Sequence, residues 1–191
     1  YFADDQWQVM YGTTVGADRV SETIDHFAKA TWFFSASLYW LFGNVEAGKA
    51  YNLLGMVAVF AVALPYLREK LDGRLVPALV VALVLAMTPV TVYQYFDYYV
   101  DGFLGAMLFC LVIGLTQMID RESRFHGKWA WVTIFASMIV LGNVKVTGLA
   151  YGGVFCIAFF IVSAVPDLRH KRFKAVLIRF GLFVGLAVVT V

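Results

Sequence analysis

The feature that most constrains this chain is a succession of apolar blocks, several of them near the ~20 residues a helix needs to cross a bilayer. They run from about Tyr51 to Leu67, Leu75 to Tyr95, Tyr98 to Ile119, Trp129 to Val144 and Val146 to Val165, and a sixth opens near Ala175. In hydrocarbon there is no water to satisfy backbone groups, so such blocks must close their hydrogen bonds internally and are helices. Membrane strands would instead need alternating segments of about ten residues, and none is visible. Composition agrees: 61% of the 191 residues are hydrophobic and only 15% are charged, where a soluble domain carries roughly a quarter charged residues. The expected fold is all-α, with polytopic transmembrane helices and an amphipathic extracytoplasmic juxtamembrane segment. Residues 1–49 are expected to form a first extracytoplasmic loop with an interfacial helix, and 50–191 a transmembrane region whose last span is cut short. Both ends of the sequence read as cut, implying an earlier helix and several later ones.

Residues 1–49 are a different material. Asp4, Asp5, Asp18, Arg19, Glu22, Asp25, His26, Lys29, Glu46 and Lys49 are interleaved there with aromatics. Phe27 to Phe42 is apolar and aromatic but for Lys29 and three small polar residues, and contains Trp32, Tyr39 and Trp40. Trp and Tyr favour the water–lipid boundary, so a helix lying along the membrane surface is expected, with a short full span as the alternative. Pro77 falls in the first turn of its helix, where proline costs little, while Pro89 lies deeper and should kink it. Cys110 and Cys156 fall inside apolar blocks without metal or disulfide spacing, and read as packing residues.

Sidedness follows from the basic residues. Arg68, Lys70 and Arg74 share one short loop, Arg121, Arg124 and Lys128 the next on that side, and Arg169, Lys171, Arg172 and Lys174 the third. The two loops between them hold Lys145 as their only Lys or Arg. By the positive-inside rule the basic loops are cytoplasmic. The 1–49 segment and the turns at Phe96–Asp101 and Asn143–Thr147 then share the extracytoplasmic side. Asp4, Asp5, Asp97, Asp101 and Lys145 fall on one face of the membrane.

Each of these residues has a plain reading beside a chemical one. Asp97 and Asp101 are four apart and share a face if the third helix starts early. An aspartate in the first turn complements the helix dipole, and equally it could face a cavity covered by 1–49. Lys145, between Val144 and Val146, is either a snorkelling lysine or a cation for a phosphate group. Adjacent acids such as Asp4 and Asp5 are commonly just solvated; their position close to the membrane favours a role. His26 and Lys29 lie one turn apart, with His26 a surface histidine or a site residue. His126 and His170 read as headgroup or solvent residues. Gly148–Gly152 and Gly181–Gly185 have a spacing that permits close helix approach.

In this order the elements resemble the membrane glycosyltransferases of the GT-C fold, closest to the branch of protein mannosyltransferases and lipid A aminoarabinose transferases. ADDQWQ, with Asp4 and Asp5, stands where the family has an acidic motif in its first extracytoplasmic loop. KATWFFSASLYWLFGNVEAGKAYNLL follows the family's Lys-Pro, aromatic stretch, Leu-Phe-Gly, Glu and basic residue, through Lys29, Leu41, Phe42, Gly43, Glu46 and Lys49, with Ala30 in place of the proline. YYVDGFLGAMLF matches a carboxylate opening a later helix, at Asp101, and NVKVTGL a Leu-Thr-Lys-Gly-like turn, at Lys145, with Val146 and Thr147 before the glycine. The resemblance implies inverting transfer of a sugar from a polyprenyl-phosphate carrier to a lipid, glycan or protein acceptor at the outer face of the plasma membrane. It implies Asp4 or Asp5 as general base, Lys145 and Lys29 as cations for the leaving phosphate, and Asp101 with Asp97 as positioning groups. Some family members bind a divalent metal through these acids and others do not. No organic cofactor and no nucleic-acid partner are expected. A secondary transporter would instead place charges near the midplane and use broken helices there, and a noncatalytic subunit of an envelope assembly complex is the third reading.

Overall fold

The computed structural model describes residues 30–94, 99–169, 171 and 173–190, and every element among them is helical. In chain order these are α1 (Ala30–Phe42), a short 3₁₀ helix (Val45–Ala50), α2 (Tyr51–Lys70), α3 (Leu75–Ala86), α4 (Pro89–Tyr93), α5 (Asp101–Ile119), α6 (Lys128–Val144), α7 (Val146–Arg169) and α8 (Phe173–Thr190). Three stretches are long and apolar enough to cross a bilayer: Val45–Lys70, Asp101–Ile119 and Val146–Val165. Helices α3 and α6 are apolar but shorter.

The second apolar block departs from expectation. Instead of one helix bent at Pro89, it is two helices separated at Met87 and Thr88. The ring of a proline pushes the preceding residue out of the helical region, and Thr88 is accordingly extended, with φ −64° and ψ 151°. Its hydroxyl then accepts from the Thr91 N–H at 3.2 Å, capping a new helix that has Pro89 in its first turn. Pro77 is third in α3, as its position implied. The third block starts at Asp101 rather than Tyr98, so the early start that would put Asp97 and Asp101 on one helical face is not seen; Asp97 lies outside the described residues.

Helix α5 is the centre. It packs against α2, α4, α6 and α7, and buries Phe103, Leu104, Ala106, Met107, Cys110, Leu111 and Leu115. Both cysteines are buried and unbridged, in keeping with packing roles. Around this centre the usual amphipathic logic is inverted. Helix α3 buries Ala78, Ala82 and Ala86, four residues apart, and exposes Val76, Val80, Leu83 and Val84. A soluble helix puts its large apolar residues inward; small residues inside and large ones outside is the pattern of helices packed within lipid. The α6–α7 pair uses the same device. A Cβ on Gly148 would lie 2.9 Å from the Leu141 carbonyl oxygen, and one on Gly152 2.6 Å from Met138 Sδ. Gly181 and Gly185, with the same spacing, have nothing within 4 Å of such an atom.

Cross-links fix the direction of the helices. At one end Tyr51 Oη donates to the Tyr99 carbonyl at 3.0 Å, and Lys145 reaches Asp101. At the other, Tyr66 Oη donates to Asp120 Oδ2 at 3.1 Å, and Lys70 pairs with the same carboxylate. The start of α2, the start of α5 and the α6–α7 turn therefore share one end. The loops carrying Arg68, Lys70, Arg74, Arg121, Arg124 and Lys128 share the opposite one.

A candidate site at the α5 and α6 termini

Asp101 opens α5 and Lys145 follows the last residue of α6. Each complements its own helix: an anion at an N-terminus and a cation at a C-terminus both oppose the charge left by unpaired backbone groups. Lys145 is extended, with φ −161° and ψ 140°, and is the single residue between α6 and α7. Its carbonyl accepts from the Gly148 N–H at 2.8 Å, so the turn is too tight to swing freely. That geometry delivers the Lys145 ammonium to Asp101 Oδ1 at 3.0 Å. The two side chains are 46% and 51% exposed. A pair this exposed contributes at most about 1 kcal/mol to folding. It leaves the ammonium, which has three N–H donors, facing the surface of this end.

Beneath the pair lies a polar node that the sequence reading passed over. Asn52 is fully buried in the first turn of α2. Its Nδ2 donates to the Gln94 carbonyl at 2.9 Å and to the Tyr99 carbonyl at 3.4 Å. Gln94 Oε1 in turn accepts from the Gly102 N–H at 2.6 Å, one of the donors a helix start leaves open. Asn52, Gln94 and Tyr51 thus hold both flanks of the segment entering α5 and set where Asp101 stands. The signal was present: an amide inside an apolar block needs a partner. Partner choice, however, depends on which helices meet.

Helix α1 closes over this end. Phe34 meets Phe103 edge-on with centroids 6.2 Å apart, and Tyr51 meets the same ring at 5.7 Å and 89°. Ser35 Oγ donates to the Gly48 carbonyl at 2.9 Å. Helix α1 buries Thr31 and Ser35 and exposes Phe33, Trp40, Leu41 and Phe42. Gly43, in the left-handed region at φ +66°, ends it by donating to the Tyr39 carbonyl at 2.8 Å. The 3₁₀ helix that follows is capped by Asn44 and carries a Lys49–Glu46 pair at 2.6 Å. Asp4, Asp5, His26, Lys29 and Asp97 lie outside the described residues, so Asp101 and Lys145 are the sequence candidates whose meeting is seen. Among the described residues no group of three or more His, Cys, Asp or Glu is placed to hold a metal.

The opposite end holds a cluster with a different character. Besides Tyr66 and Lys70 on Asp120, Glu69 accepts from the Arg124 N–H at 3.2 Å and pairs with its guanidinium at 3.4 Å. The Lys70 ammonium beside Asp120 holds that carboxyl below the usual carboxylate range, helped by the Tyr66 hydroxyl. This cluster clamps the α5–α6 loop onto α2.

No protein-family model, curated protein or solved structure matches the chain.

Proposed function

We propose that the chain belongs to a polytopic membrane protein, a glycosyltransferase moving a sugar from a polyprenyl-phosphate carrier to an acceptor at the extracytoplasmic face. The membrane part rests on three apolar stretches of spanning length, and on the inverted packing of α3 and of the α6–α7 pair, with small residues inside. The catalytic part rests on one observation above others: the Lys145–Asp101 pair, at the end away from the Arg/Lys-rich α2–α3 and α5–α6 loops.

In this reading Asp4 or Asp5 removes the proton of the attacking hydroxyl. The hydroxyl oxygen bonds to the anomeric carbon as the carbon–oxygen bond to phosphate breaks. The polyprenyl phosphate leaves with the bonding electrons. Lys145 and Lys29 meet the negative charge that builds on it, and Asp101 holds Lys145 oriented, with Asp97 and His26 beside the acceptor. A lysine suits this role because its ammonium is a compact charge that can turn from carboxylate to phosphate.

The test is turnover of a lipid-linked sugar by the full-length protein. Alanine at both Asp4 and Asp5 should abolish it while membrane insertion persists; unchanged turnover would remove the base assignment. A secondary transporter would accumulate solute in vesicles instead. Against that rival, the three spanning-length stretches carry no Asp, Glu, Lys or Arg in their central turns, where coupling sites are built.

A further inference from the structure

A second feature lies away from the Asp101–Lys145 end. Between α7 and α8 runs an open groove of about 410 Å³, lined among the described residues by Phe160, Phe173, Val176, Leu177 and Phe180, with Lys174 the charged one of that set. Phe160 and Phe180, both in its lining, have ring centroids 6.0 Å apart. At 1.5 Å of rise per residue, they lie roughly 10–14 Å along their helices from the turn. That turn carries Arg169 and Lys171, both exposed. Lys171 adopts the left-handed backbone, φ +56°, a conformation that glycine would take at less cost. One acid, Asp167, precedes the turn, and from Leu168 to Val191 the chain contains neither Asp nor Glu. An apolar slot opening at a mouth rich in basic residues is complementary to one kind of occupant.

We propose that this groove binds an anionic phospholipid, with the headgroup phosphate held by Lys171 and Lys174 and an acyl chain laid toward Phe160 and Phe180. The proposal rests on the membrane reading above but not on sugar transfer. Charge attraction at a membrane surface favours an anionic over a zwitterionic lipid by about fivefold for each nearby lysine. The apolar lining adds affinity for the chain without regard to headgroup.

The experiment is native mass spectrometry of the full-length protein released from detergent, with phosphatidylglycerol or phosphatidylcholine of identical chains. Phosphatidylglycerol should be retained about tenfold or more over phosphatidylcholine, in line with two lysines. The Lys171→Gln/Lys174→Gln variant should lower that preference severalfold or more, and Leu177→Trp, which fills the slot, should lower retention of both lipids. Equal retention of the two lipids by the unaltered protein would overturn the proposal. So would a preference undiminished in the double lysine variant. A further helix or a second copy seated in the groove would give the former result. Loss of sugar transfer in separate assays would leave this outcome untouched, so the two readings fail independently.

Discussion

At the scale of single residues, the Lys145–Asp101 contact is either a tether or a working pair. As a tether it is weak, because both side chains are half exposed and such pairs give at most about 1 kcal/mol. Asp101→Asn and Lys145→Gln should therefore leave the melting temperature nearly unchanged while lowering turnover by about tenfold or more, the usual size of a lost charge contact to a reacting group. The exchange Asp101→Lys with Lys145→Asp restores an ion pair but reverses its polarity. It also sets each charge against its own helix dipole, so turnover should stay lost; recovery of turnover would make the contact purely structural. Asn52 behaves oppositely. It is fully buried and serves the carbonyls of Gln94 and Tyr99, so Asn52→Ala should destabilise by about 2 kcal/mol, the cost of leaving buried acceptors unpaired, as read by thermal unfolding in detergent. Asp101 and Lys145 could be picked from the sequence because a charge in an apolar setting stands out by itself. Asn52 could not, since its role exists only when α2, α4 and the start of α5 meet.

At the scale of elements, helix length and composition were legible, and most bounds fall within three residues of expectation. The failures are local. The break at Thr88 needed the coupling of proline with a capping hydroxyl, which a kink alone does not capture. The two glycine pairs look alike in sequence yet differ in space, because only Gly148 and Gly152 face a neighbouring helix. Gly152→Leu should force α7 off Met138, costing about 1–3 kcal/mol by overpacking, while Gly181→Ala should be neutral or slightly stabilising; a thermal-shift series separates them. The loop clamp at Asp120 gives a pH prediction. Its carboxyl is held below its unfolded value, so its contribution is present above the usual carboxylate range, near pH 4, and is lost as the pH falls through the lowered value. Asp120→Asn should flatten the acid limb of melting temperature against pH; an unchanged limb would show that the clamp carries no such linkage.

At the scale of the whole molecule, the ordering of charge along the chain proved more informative than any motif. Basic residues recur at alternate turns, and the hydrogen bonds of Tyr51 and Tyr66 place those of the α2–α3 and α5–α6 loops at the end opposite Asp101 and Lys145. The chemistry proposed requires that end to face outward. The most direct measurement is the labelling of single cysteines by a membrane-impermeant maleimide in intact cells, after replacing Cys110 and Cys156. Cysteine in place of Glu46 or Thr147, both exposed, should react from outside. Cysteine in place of Arg74 or Glu122, equally exposed, should react only once the membrane is opened. Labelling of the 46 and 147 positions only after permeabilisation, or from opposite sides, would contradict the account.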